Sequence, residues 1–183
     1  MDRQIKVGVV YGSTRVGRFC DKVAQWAAGR IAGTAGFAVE VIDPARLERG
    51  DDPGSLRQRM GECDAFVIVT PEYNHGYPAP LKSLIDSVGA EWHAKPVAFV
   101  SYGGISGGLR AVEQLRLVFA ELHAVTIRDS VSFAAAWEQF DGAGVLLNPE
   151  RAERSMNAML RRLEWWAVAL SDARAETPYA QTA

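Results

Sequence analysis

The stretch IKVGVVYGSTRVGR, Ile5 to Arg18, sets an apolar run of strand length against a loop of glycine, hydroxyl and arginine residues, and the fold is read outward from it. Ile5 to Tyr11 is apolar almost throughout, the pattern of a parallel strand covered by helices on both faces. Beyond the loop the period becomes helical, with Phe19, Val23, Trp26, Ala27 and Ile31 on one face. This order predicts a strand ending at Tyr11 and a helix starting near Gly17. A helix start offers unpaired N–H groups and the positive end of its dipole, so Ser13, Thr14 and Arg15 read as an anion site, with Arg15 and Arg18 adding side-chain donors. The loop lacks the GK[ST] ending of a Walker A motif and the GxGxxG spacing of a dinucleotide fingerprint. A phosphate monoester suits it; the plain alternative is a turn capped by Ser13 or Thr14.

Further strand-length runs follow at Phe37 to Ile42, Ala65 to Thr70, Val97 to Tyr102 and Val125 to Phe133, each bounded by Gly, Pro, Asp or Ser. Helical periods separate them, as where Leu109, Val112, Leu115, Phe119 and Leu122 share a face. Alternating strands and helices predict an α/β fold: a doubly wound, five-stranded parallel sheet in a three-layer αβα sandwich. Right-handed crossovers leave few strand orders, of which the flavodoxin-like 2-1-3-4-5 is the one expected. In that order a crevice opens beyond the carboxyl ends of strands 1 and 3, with strand 4 alongside. The loops Gly12 to Arg18, Pro71 to Pro78 and Gly103 to Gly108 then face one another.

The 183 residues are 48% hydrophobic and 23% charged, which suits one ordinary domain, expected over residues 1–173. Residues 174–183, polar and small with Pro178, read as a frayed tail. The last helix is marked by Met156, Met159, Leu160, Leu163, Trp166, Ala167 and Leu170, and Ala134 to Pro149 reads as an irregular excursion before it. With 20 basic and 22 acidic residues, net charge -2, no electrostatic footprint points to nucleic acid or a membrane surface. Met1 to Gln4 runs straight into a strand without a signal-peptide pattern, and Cys20 and Cys63 have no metal-ligand spacing. A cytoplasmic protein with no metal site is expected.

The second loop, TPEYNHGYPAPLK (Thr70 to Lys82), has prolines and a glycine that hold its backbone on a defined path. Such a loop can offer N–H and C=O groups to the edge of a flat ring, with Tyr73 and Tyr77 as aromatic walls and Asn74 as donor and acceptor. A rigid structural loop is the alternative. His75 invites a proton-transfer role but has no partner visible in sequence. Asp43, before Pro44, reads as a turn initiator. The third loop, SYGGISGG (Ser101 to Gly108), places four glycines just after a buried strand, where a planar ligand lying across Gly103 and Gly104 would account for them.

In series, GSTRVGR, PEYNHGYPAPLK and SYGGISGG resemble the NADPH-dependent FMN reductase family of flavodoxin-like proteins, over roughly Ile5 to Leu122. The resemblance implies an NAD(P)H-dependent FMN reductase in which Ser13, Thr14, Arg15, Gly17 and Arg18 hold the FMN phosphate. Pro71, Glu72, Tyr73 and Asn74 would line the isoalloxazine, and Ser101, Tyr102, Gly103 and Gly104 would close its other edge. No catalytic side chain is implied, because the chemistry sits on flavin N5. NADPH or NADH would be the co-substrate, and the acceptor a quinone, azo compound, metal oxyanion or free flavin handed to a flavin-dependent monooxygenase. The resemblance also implies a homodimer or homotetramer, with Trp92 and Trp165 as candidate exposed aromatics. A flavodoxin-like electron carrier is the alternative.

Overall fold

The structure, a computed structural model, describes residues 4–48, 50 and 52–182. The start of the N-terminal segment, residues 1–3, lies outside that range. Five strands, β1 (Ile5–Tyr11), β2 (Phe37–Ile42), β3 (Ala65–Pro71), β4 (Pro96–Gly103) and β5 (Val125–Ala134), form one parallel sheet in the order β2-β1-β3-β4-β5, as expected. Pairing runs from Ile5↔Phe37 to Val10↔Ile42, from Val7↔Ala65 to Tyr11↔Val69, and from Phe66↔Val97 to Pro71↔Tyr102. On the outer edge the β4–β5 register shifts between Val97 and Phe99. There Arg116 donates to the carbonyls of Ile127 and Arg128.

The helices are α1 (Cys20–Ala32), α2 (Pro44–Glu48), α3 (Pro53–Gly61), α4 (Ala79–Asp86), α5 (Leu109–Glu121), α6 (Ala136–Gln139) and α7 (Pro149–Glu176). Alternate strand residues point to opposite faces and so feed two cores. Val7, Val9, Val67, Val69 and Val100 pack with α1 and α7, while Val10, Phe66, Ile68 and Phe99 pack with α3, α4 and α5. All seven residues of β3 are buried, consistent with its place at the centre of the sheet. Gly8 lies under the Phe66 ring: a Cβ there would stand 2.6 Å from Phe66 Cδ1.

Four sequence expectations change here. The first helix starts at Cys20, not near Gly17, because Gly17 takes a left-handed φ of +65° and Arg18 N–H closes a turn on Arg15 O. Trp92 is fully buried rather than exposed, packed against Phe66 and Phe119 with its Nε1 donating to Ile85 O at 3.2 Å. Leu109 opens α5 half exposed, while Val112, Leu115 and Phe119 are buried as expected. At the carboxyl end α7 runs on to Glu176, and Tyr179 meets His123 Nδ1 at 2.9 Å and stacks edgewise on His93.

Candidate functional site

The carboxyl ends of β1, β3 and β4 bring three loops together. Gly12 N–H donates to Val69 O at 2.8 Å, and a Cβ at Gly12 would lie 2.6 Å from that oxygen and 2.9 Å from Thr70 Cα. Only glycine lets the end of β1 approach β3 this closely. The approach turns Ser13 inward, 1% exposed, with its Oγ 2.9 Å from the Tyr73 hydroxyl. Arg15 N–H donates to the same Oγ at 3.4 Å, and the Arg15 guanidinium lies 3.7 Å from the centroid of the Tyr73 ring. One tyrosine thus ties the second loop to the first through a hydroxyl and a stacked cation.

Arg15 and Arg18 read alike in sequence but do different work. Arg18 grips Asp43 with two bonds, Nη1 to Oδ1 at 2.8 Å and Nη2 to Oδ2 at 2.6 Å, and its Nε donates to Asp21 at 2.8 Å. Nη1 also donates to Ser13 O. Both side chains of the Arg18–Asp43 pair are nearly buried, at 10% and 9% exposure, and the hydrogen bonds to Asp43, only partly opposed by burial, hold the guanidinium above its ordinary value. Asp43 is the expected turn initiator, accepting from Ala45 N–H at 3.0 Å, and also the anchor of this brace. Arg15 is left as the exposed arginine of the loop. Among the described residues, the N–H groups of Thr14, Val16 and Gly17 meet no protein acceptor. An exposed guanidinium and unpaired amides in one loop can receive an anion, and here the loop rather than the start of a helix would supply those donors.

The second loop reverses at Asn74 and His75, both left-handed with φ of +49° and +76°, between mutual bonds of Tyr73 and Gly76. This is the backbone signature of a tight two-residue hairpin turn. Gln114 Nε2 donates to His75 O at 3.0 Å and fixes the turn on α5. The side chains of Asn74 and His75 are exposed. Pro71 is buried in β3, and Glu72 N–H donates to Tyr102 O. The Glu72 carboxylate accepts from Ser106 Oγ at 2.7 Å, Arg110 N–H at 3.2 Å and Arg110 Nη1 at 2.8 Å. Burial alone would raise this carboxyl, yet the Ser106 and Arg110 bonds hold it below its ordinary value. Glu72 therefore anchors the first turn of α5, and neither Ser106 nor Arg110 was singled out as its partner in the sequence.

In the third loop the four glycines divide by role. Gly107 and Gly108 have φ of +60° and +85°, and a Cβ would stand 2.3 Å from Ser132 Oγ at the first and 2.8 Å from Tyr102 N at the second. These two serve packing between β4 and β5. Ser101 and Ser132 both donate to Gly107 O. Ser101 is wholly buried, and the Tyr102 ring turns inward against Phe19, where burial pushes its phenol up. Toward the crevice this loop presents main chain: among the described residues the N–H groups of Gly104 and Ile105 meet no protein acceptor. Over Gly104 lies Trp137, 61% exposed, its Cη2 3.6 Å from where a Cβ would be. Trp137 falls in the excursion that showed no clear period in sequence, where nothing marked it. Burial lifts the Cys20 thiol to about 11, so it is protonated at neutral pH.

Residues 5–138 match the family described as NADPH-dependent FMN reductase. An NAD(P)H-dependent FMN reductase of Schizosaccharomyces pombe is 35% identical over 120 residues, 56% of this chain and 60% of that protein, so the chain spans less than two thirds of its length. A quinone reductase of Pseudomonas putida is 30% identical over 185 residues, 91% of this chain and 96% of that protein. Among solved structures, the flavoenzyme NAD(P)H:(acceptor) oxidoreductase FerB of Paracoccus denitrificans superposes with a TM-score of 0.66 at 19% identity, covering 92% of this chain and 98% of that one. An NADH:FMN oxidoreductase in its apo form gives 0.70 at 17% identity, covering 91% and 90%. At such identity these two likenesses concern the fold.

Proposed function

The chain belongs to the NADPH-dependent FMN reductase family, and from that premise we propose that it binds FMN in the crevice and uses it to carry electrons from NADPH or NADH to a small acceptor. The observation that carries the reading is the anion receptor after β1: the exposed Arg15 with the unpaired amides of Thr14, Val16 and Gly17. It has the charge and the free donors for a phosphate dianion, and it lies at the switch point of the sheet, where ligands of this architecture bind. Ser13 supports it from below by orienting Tyr73, and Arg18 by bracing the loop on β2.

FMN, when bound, would supply two-electron redox chemistry between reduced nicotinamide and the second substrate. The chain's part is to bind, orient and solvate. Pro71 to Asn74 form one wall, with Tyr73 as its aromatic member. Main-chain donors at Gly104 and Ile105, beyond the inward-turned Ser101 and Tyr102, form the other and favour negative charge on the ring edge. Quinones, azo compounds, metal oxyanions and free flavin all suit an open crevice. Two substrates sharing one open face give ping-pong kinetics. The reading carries with it a homodimer or homotetramer in the cytoplasm, and delivery of reduced flavin to a flavin-dependent monooxygenase as one route for its product.

The test is an anaerobic stopped-flow experiment on the FMN-loaded protein. Mixing with NADPH or NADH should bleach the flavin absorbance, and a quinone should restore it. A band that neither nucleotide bleaches overturns the reductase reading, and a protein that takes up no FMN overturns the site.

A further inference from the structure

The amino ends of β4 and β5, paired at Pro96↔Val125, lie at the far end of the sheet from the crevice. His93 and His123 stand just before these two strands. Ala94 N–H donates to His123 O at 2.9 Å and Val125 N–H to Lys95 O at 3.0 Å, so the two segments are locked side by side. The imidazole centroids are 5.1 Å apart. Tyr179, from the short turn Tyr179–Gln181 that follows α7, closes the group, its ring 5.7 Å from that of His93 and 5.6 Å from that of His123. Its hydroxyl lies 2.9 Å from His123 Nδ1. Among the described residues, neither nitrogen of His93 nor Nε2 of His123 has a hydrogen-bond partner in the protein. His93 and Tyr179 border a hollow of ≈ 430 Å³ shared with Glu91, Lys95 and Arg174. The two cations there are turned onto carbonyls, Lys95 onto Met60 and Gly61, and Arg174 onto Ala94.

We propose that His93, His123 and Tyr179 form a binding site for a divalent transition-metal ion, with copper(II) held most tightly. The donor set argues for that class: imidazole nitrogen suits Cu, Ni and Zn rather than Mg or Ca, and a mixed N,O set in a tetragonal arrangement favours Cu(II). The spacings fit as well. Two donors each about 2.0 to 2.1 Å from one ion and at right angles stand about 2.9 Å apart, the separation of His123 Nδ1 from the Tyr179 hydroxyl. An imidazole centroid lies about 3.2 Å from an ion bound by its nitrogen, so two imidazoles meeting at roughly 90 to 109° have centroids about 4.5 to 5.2 Å apart. The observed 5.1 Å falls in that range. With no hydrogen bond to hold it, the His93 ring is free to turn a nitrogen toward the ion, and the phenol proton of Tyr179 leaves to solvent as the ion takes its place. Among the described residues no three His, Cys, Asp or Glu side chains converge; the third donor here is a phenol, and the three residues are too far apart in sequence to show a ligand spacing. Lys95 and Arg174 oppose the ion's charge and hold the affinity to the micromolar range. Bound there, the ion clasps the C-terminal turn to the sheet.

The proposal depends neither on the flavin site nor on the association state of the chain, and its probe is Cu²⁺ itself. Full-length, FMN-loaded protein cleared of metal with EDTA is dialysed against graded Cu²⁺, and the one-equivalent complex is read by electron paramagnetic resonance. The wild type should bind one Cu²⁺ with a Kd of about 10 µM or tighter, and its spectrum should carry the splitting of two imidazole nitrogens. His93→Gln, His123→Asn and Tyr179→Phe should each weaken binding about tenfold or more, and each histidine variant should lose one nitrogen from the spectrum. Asparagine suits the left-handed φ of +56° at residue 123. His75→Gln, which changes the remaining histidine of the chain, should leave both readouts as in the wild type. If His123→Asn lowers the Tm of the metal-free protein, His93→Gln and Tyr179→Phe carry the test. A one-nitrogen spectrum in the wild type, binding that survives His93→Gln or Tyr179→Phe, or binding lost in His75→Gln overturns the proposal.

Discussion

The two arginines of the first loop offer a contrast that separates binding from bracing. Arg15→Ala removes an exposed guanidinium whose contact in the free protein is the Tyr73 ring at 3.7 Å. A charge-assisted hydrogen bond contributes about 1.5 to 3 kcal/mol, and an exposed cation–π contact given up to make it costs about 0.5 to 1 kcal/mol. The net is about 1 to 2 kcal/mol, so the Kd for FMN should rise about 5- to 30-fold while the thermal midpoint stays close to wild type. Arg18→Met has the opposite signature. It leaves Asp43, 9% exposed, without its two-bond partner, and stranding one charge of a buried pair costs about 3 kcal/mol or more. The midpoint should fall sharply. Quenching of FMN fluorescence on titration into apoprotein gives Kd, and differential scanning calorimetry gives stability. If Arg15→Ala binds FMN within twofold of wild type, the phosphate is not held by this loop and the assignment fails.

Lys95 is buried at 6% exposure, with its Nζ donating to Met60 O at 3.0 Å and Gly61 O at 2.9 Å at the end of α3, and burial takes its amine from 10.5 down to about 8. Between those values the unfolded chain holds a proton that the folded chain has shed, so stability rises with pH there. The wild type should gain about 2 kcal/mol over Lys95→Met between pH 7 and 9.5, read from urea midpoints at each pH; parallel profiles would refute it. Gly108→Ala places a Cβ 2.8 Å from both Ser101 Cβ and Tyr102 N at a φ of +85°, and should cost about 2 kcal/mol or more by chemical denaturation. Gly36→Ala, also left-handed but with nothing within 4 Å, pays only the backbone term. Its cost should be about 1 kcal/mol, and equal losses for the two would show that crowding at Gly108 does not matter.

The strands and their order were legible because hydrophobic period and run length report burial directly, and β1, β3 and β4 are buried nearly end to end. The crevice loops followed from that order. What sequence could not show was the use of each side chain within them. Arg18 looked like a ligand donor because its partner Asp43 is 25 residues away, and only the β1-α1-β2 crossover sets the two side by side. Period alone starts α1 too early because it is blind to a left-handed glycine one turn ahead of the helix. Trp92 reads as exposed in sequence because an isolated tryptophan outside any periodic segment carries no sign of which side of the chain is covered. The glycines of the third loop are alike in sequence, yet Gly107 and Gly108 answer to neighbouring strands while Gly104 lies under Trp137.

Trp137 gives the crevice an optical reporter of its own. Of the five tryptophans, Trp92 is sealed in the core, Trp26 and Trp166 are half-buried, and Trp165 sits on the outer side of α7. Trp137 alone rests on a crevice loop, over Gly104. An indole in water emits to the red of one in a core, and an isoalloxazine absorbs where tryptophan emits. Occupancy of the crevice is thus written, without a label, into the share of the long-wavelength intrinsic fluorescence that Trp137 adds to that of the equally exposed Trp165.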